Sequence, residues 1–176
     1  MKAVLNEIDS EPYLSALEQA MPRLAAGDCC LGGRELRLFG VAELADAQLG
    51  FSVGPQGHPL WGEAPGDWLR SWLVIGEDDE HGDPIFIDLA QEPLPVYTAI
   101  VGEGTWEPVA IATSFESFVQ IFECWAQMAV GRATREELEE CPLSLAESEE
   151  LLGELRRRDP GLDPRYWQDW LEGVSD

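Results

Sequence analysis

Side chains able to do chemistry crowd most densely between Glu77 and Asp83, where Glu77, Asp78, Asp79, Glu80 and Asp83 surround His81. Carboxylates hold hard cations, and an imidazole beside carboxylates moves protons. The spacing argues against both uses. The stretch lacks the ligand pattern of an EF-hand loop and its terminal bidentate glutamate. No nucleophile or second histidine is tied to His81. The plainest reading is a solvated acidic turn, and the next is the same exposed turn meeting a partner. Farther on, Gly102, Glu103, Gly104 and Thr105 have a superficial likeness to a phosphate loop. They lack the Gly-Lys-Ser/Thr of a Walker loop and the three spaced glycines of a dinucleotide loop, so a hairpin turn is expected. Trp106 behind that turn is a core lid or an exposed anchor, burial being the commoner fate of tryptophan.

These residues lie in a stretch of one sign. From Ser71 to Gly131 there are eleven acidic residues and no Lys or Arg. The whole chain of 176 residues carries a formal charge of −23. Nucleic acid is therefore an improbable direct partner, because phosphate binding is driven by Lys and Arg releasing counterions. Solubility, self-repulsion at low salt and fast steering toward basic partners follow instead. The apolar content is that of a globular protein and not of a disordered one.

The elements that must position this stretch are legible from periodicity. Trp72–Ile75 is an apolar run that Gly76 is expected to stop, and Ile85, Ile87 and Leu89 alternate with Phe86 and Asp88. Both patterns predict strands, joined by an acidic connection from Gly76 to Pro84. Val96–Val101 predicts a third strand closing an antiparallel meander. Asp88 is expected to cap a neighbouring turn. Thr113 and Glu116 are spaced as a capping box before a helix whose Phe115, Phe118, Val119, Phe122 and Trp125 share one stripe. Gly131 is placed to end it.

Before this core, Ser10–Met21 has helical spacing, Gly27–Gly33 is turn-rich, and Leu36–Phe39 predicts a short strand. Val41–Leu49 has weak periodicity and predicts a helical turn or a loop. Gly50–Asp67 is loop-like, with Trp61, Trp68 and Trp72 bulky enough to cover a sheet edge. After it, Thr134 with Glu137 and Ser144 with Glu147 repeat the capping-box spacing, and Arg156, Arg157 and Arg158 suit a helix C-terminus. Asp163 and Pro164 start a last helix with Tyr166, Trp167 and Trp170 on one face. Docking of that face on the domain is expected, with exposure for a groove or dimer contact as the other case. Cys29, Cys30, Cys124 and Cys141 match neither a zinc site nor a redox pair. With no signal-like segment and no membrane-length apolar run, a reducing cytoplasmic setting with free thiols is expected.

In Leu36–Val41 (LRLFGV), WLVIGEDDEHGDPIFIDL, PVYTAIVGEGTWEP and SFESFVQIF the chain resembles the Smi/Knr cell-wall-regulator family, the core of the SUKH superfamily. Gly76, Gly82, Asp83, Asp88, Ser114 and Phe115 fill the places of that family's ordered pattern. The family's usual opening is not recognisable before Leu36, and the tail after Gly131 is outside its common core. The resemblance implies an α+β domain with an antiparallel sheet flanked by helices, placed over residues 1–131, and the capping signals after Gly131 predict a C-terminal helical extension over 132–176. It implies no catalytic activity. Bacterial members are similar to immunity proteins that neutralise toxin domains, often nucleases or deaminases; fungal members look like interaction hubs.

The expected function is a non-enzymatic, immunity-type binding domain for a basic toxin, with no cofactor, no metal, no direct nucleic-acid contact and no membrane contact. Its partner-binding face would comprise Glu77, Asp78, Asp79, Glu80 and Asp83, helped by Glu103, Trp106 and Glu107. The alternative is a regulatory or scaffold module that makes its contact through the helical tail.

Overall fold

The computed structural model describes residues 29–31, 34–40, 42–78, 82–102, 104–132 and 134–172, so the helix expected at Ser10–Met21 lies outside them. Among the described residues, β1 (Cys29–Leu31), β2 (Arg34–Leu38), β3 (Trp72–Asp78), β4 (Asp83–Asp88), β5 (Val96–Gly102) and β6 (Thr105–Ala112) form one antiparallel sheet in sequence order. The helices are α1 (Leu44–Ala47), α2 (Phe115–Met128), α3 (Arg135–Glu140), α4 (Leu145–Arg158) and α5 (Arg165–Glu172). This is an α+β architecture, an antiparallel sheet flanked by helices. The expected three-strand meander is its centre, and it continues on both sides.

Gly76 does not stop β3. The strand runs on to Asp78, with a register shift between Val74 and Gly76. The glycine is there because β2 passes very close, so that a Cβ at position 76 would lie 2.5 Å from the Arg37 carbonyl oxygen. Beside the shift, β3 is stitched to α1 by the buried Gln48. Its amide donates to the Val74 carbonyl at 2.9 Å and accepts from the Val74 N–H at 3.1 Å, while also donating to the Leu44 carbonyl at 2.8 Å. A side-chain amide thus stands in for a missing strand partner, and no backbone group at Val74 is left dry.

Pleating sorts the sheet into two faces. One carries Trp72, Val74, Phe86, Tyr97 and Trp106, against which the loop residues Phe51 and Trp68 pack. Trp68 touches Trp72, Phe86 and Trp106 with ring centroids 5.2, 4.9 and 5.1 Å apart. The glycine- and proline-rich loop is therefore a lid on this face. Asp88, buried on the same face, accepts from the Ala90 N–H at 3.0 Å and from the Gln91 amide at 2.6 Å, capping the turn as expected. The other face buries Leu73, Ile85, Ile87 and Val96 in the same core as Phe118, Val119, Phe122 and Trp125 of α2.

The start of α2 differs by one residue from the expected capping box. Ser114 is the N-cap, accepting from the Ser117 N–H at 3.0 Å. Thr113 instead gives its N–H and its hydroxyl to the two carboxylate oxygens of the buried Asp159, at 2.7 and 2.6 Å. The tail thus outcompetes the local capping geometry for Thr113. Thr134 caps α3, and Ser144 with Glu147 makes a complete capping box on α4.

The tail helices are docked. Leu151, Leu155, Leu162, Trp167, Trp170 and Leu171 are buried in the common core, and the Trp167 indole donates to the Ile111 carbonyl at 2.8 Å. Trp125, Trp167 and Trp170 form one aromatic knot, with centroids 4.3 Å apart for Trp125–Trp167 and 5.2 Å for Trp125–Trp170.

Candidate partner-binding groove

Strand register splits the acidic stretch that looked continuous in sequence. Asp78 pairs with Asp83 and Leu36, so its side chain shares the aliphatic face with Ile85, Thr98, Ile100, Glu107 and Val109. Glu77 pairs with Pro84 and turns to the opposite face, where its carboxylate lies 3.5 Å from the Arg37 guanidinium. Asp79, Glu80, His81 and Glu103 lie outside the described residues.

The solvated reading of this turn is corrected at Asp78, while Trp106 takes the commoner of its two expected places, the lid. Asp78 is not solvated: it is 2% exposed and engaged within the chain. The hairpin closes on it tightly, the Gly82 N–H reaching the Asp78 carbonyl at 2.6 Å with Gly82 at φ +69°. Trp106 is half-buried in the aromatic lid, and its backbone N–H donates to the Gly66 carbonyl at 2.8 Å. It therefore faces away from its neighbour Glu107, which is exposed opposite Ile100.

What the fold builds on the aliphatic face is a groove of about 620 Å³. Its floor comes from Thr98 and Ile100 of β5 with Pro108, Val109 and Ala110 of β6. Asp78 and Asp83 close one side, and Asp163, Arg165, Tyr166 and Asp169 around α5 form the other. Among the described residues, the lining thus includes the carboxylates of Asp83, Asp163 and Asp169, the buried Asp78 and the Arg165 guanidinium, with Asp78 and Asp83 engaged within the chain and Arg165 engaged by Asp163. Asp163 accepts from Arg165 side chain and backbone at 2.7 and 3.0 Å. These bonds, the side-chain one foremost, hold the Asp163 carboxyl below its ordinary value and the Arg165 guanidinium above its own. Ile100 is 62% exposed and Val109 43%, so the floor offers apolar surface to whatever enters.

The sequence offered no local sign of Asp163 and Asp169 as members of this site. They lie some eighty residues after the acidic turn, in a helix start whose aspartate has a sufficient capping role of its own. The pleat alternation of Ile100 was readable, but its exposure was not, because β6 and α5 leave that end of the sheet uncovered.

Among the described residues, no group of three or more His, Cys, Asp or Glu is arranged to hold a metal ion. Burial pushes the Cys124 thiol above its ordinary value, and Glu154 pushes it the same way, so it is a poor thiolate nucleophile. Among the described residues, no helix is long and apolar enough to cross a membrane. Comparison with protein-family models, with curated proteins and with solved structures finds no match for this chain.

Proposed function

We propose that this chain is a non-enzymatic protein-binding domain of the immunity type, acting in the cytoplasm to neutralise a basic toxin such as a nuclease or deaminase. The observation that carries the reading is the groove: carboxylates on two sides of an exposed apolar floor, in a chain of net charge −23. The family resemblance around β3 to α2 supports the same reading. A nucleic-acid-cleaving enzyme must present cations to phosphate, and an acidic protein competes for that surface. Charge then sets the association rate, and the apolar floor sets dissociation.

The acidic face in this reading is narrower than the whole turn. Glu107 supplies exposed charge beside the groove, Asp83, Asp163 and Asp169 line it, and Asp78 is buried at its edge. Trp167 and Trp170 are spent on the core, so the surface the tail offers a partner in either reading is the polar one around Asp163, Arg165 and Asp169.

The test begins with the protein as bait in a native lysate, washed at low and then moderate salt. A basic enzyme that elutes between the two is then assayed for activity with and without stoichiometric added protein. Inhibition that weakens with salt is the expected result, and Glu107→Lys should slow association. Retention of only acidic or neutral proteins, or an eluted enzyme whose activity is untouched, overturns the proposal.

A further inference from the structure

We propose that the edge of β6 is closed by contacts within the chain, an autoinhibitory clasp that keeps the sheet from pairing strand to strand with a second copy. Among the described residues β6 is the last strand of the sheet, eight residues long and mostly exposed from Thr105 to Ala110. Its surroundings invite pairing, since Ile100 is 62% exposed and Val109 43%. A long apolar edge offers its outward N–H and C=O groups as a template for another strand.

Three separate parts of the chain close that template. The Trp106 N–H points away from β5 and donates to the Gly66 carbonyl at 2.8 Å. Only glycine lets the loop come so near, because at φ +86° a Cβ on Gly66 would lie 2.6 Å from the Thr105 Cβ. The loop around that carbonyl is itself tied, the Asp67 carboxylate accepting from the Ala64 N–H at 2.8 Å and the Trp68 carbonyl from the Gly62 N–H at 3.0 Å. Alternation makes 106, 108 and 110 the outward positions, and at 108 proline has no N–H. At the far end the Ile111 carbonyl accepts from the Trp167 indole at 2.8 Å. Of the three outward positions only Ala110 keeps a donor to offer, and one donor does not make a ladder. Charge alone would not serve. Repulsion between copies of net charge −23 fades as salt screens it, whereas an occupied carbonyl and a missing N–H do not change. The clasp therefore keeps the chain from pairing with itself through β6, whatever its partner is.

Sedimentation velocity over a wide range of concentration, in about 0.5 M salt to screen the charge, tests this. Pro108→Val restores the missing N–H, twice over in a two-fold pair, and should raise the self-association constant about tenfold over the native chain. Pro108→Ala restores the same N–H with little strand preference and should associate too, which keeps the test decisive if the valine variant folds poorly. Ala110→Val adds strand preference without adding a donor and should stay within about twofold of the native chain. Ala110→Pro in the Pro108→Val background removes the remaining donor and should return the chain to monomer. Circular dichroism of each variant reports that the fold is kept. In the native chain, hydrogen exchange should find the Trp106 amide protected although its strand is an edge. Native-like sedimentation of both Pro108 variants overturns the inference, as does equal association of Ala110→Val, which would assign the effect to strand preference. Rapid exchange at Trp106 overturns it too, since the Gly66 contact would then be open. None of these outcomes bears on inhibition of a basic enzyme, so the immunity reading stands or falls by its own test.

Discussion

Gln48 shows how much one side chain can decide. It is buried, satisfies both backbone groups of Val74, and holds α1 against β3. Gln48→Ala should leave those groups unsatisfied and cost about 2–3 kcal/mol, read from urea unfolding midpoints. Glu147 is the residue whose contribution depends most plainly on pH. The Ser144 N–H, then the Ser144 hydroxyl and the Arg132 guanidinium, hold its carboxyl down at about 2, against an ordinary 4.5. A depressed acid stabilises fully above its unfolded value and loses that contribution as pH falls through its folded one. The stability gap between the native chain and Glu147→Gln should therefore be widest above pH 4.5 and close as pH approaches about 2. An unchanged gap across that window would assign the residue no such role.

At the scale of elements, helix starts were the most local feature and the most readable. Ser144 with Glu147 and Thr134 each cap where their spacing predicts, because a cap involves only neighbours within one turn. The start of α2 departs from its pattern because Asp159 reaches Thr113 from another part of the chain. Ser114→Ala should cost about 1 kcal/mol, the usual worth of a cap, measured as a fall in the unfolding midpoint. The strands were readable in type, and their ends were not. Gly76 reads as a stop signal in one dimension, and only the nearness of β2 reveals a glycine required inside a strand. The partners of β3 and β4 across the sheet decide which carboxylates share a face, so the acidic run divides between two surfaces.

Across the whole molecule, the tail and the charge have opposing consequences. The tail is part of the core: Trp167 and Trp170 pack on Trp125, and Asp159 holds the corner before α2. The indole N–H groups of Trp125 and Trp170 are buried without an acceptor, a cost of about 1–3 kcal/mol each that the burial of three large rings must exceed. Ending the chain at Arg158 would remove two buried tryptophans worth about 3–5 kcal/mol each, against a total stability of about 5–15 kcal/mol. The truncated chain should lose its cooperative thermal transition, and a sharp transition near the native midpoint would show the tail to be dispensable. Net charge acts the other way. With −23 charges in one small domain, screening should raise Tm by a few degrees between low salt and about 0.15 M. Calorimetry at two ionic strengths checks this.

What the sequence alone determined is what depends on neighbours along the chain. Residue patterning set the strands at Trp72–Ile75, Ile85–Leu89 and Val96–Val101 in type though not in their ends, helical spacing set the buried stripe of α2, and composition set the sign of the field. The Asp88 cap belongs here too, since its partners Ala90 and Gln91 lie within three residues. Tertiary structure alone decided which of many carboxylates act together. Asp78 goes inward because its register partner Leu36 lies on a covered face, and Trp106 parts from Glu107 because successive residues of a strand point to opposite sides. Asp163 and Asp169 meet Ile100 and Val109 because buried tryptophans anchor α5 beside β6. A groove is a property of distance in space, and its two walls lie some eighty residues apart along the chain.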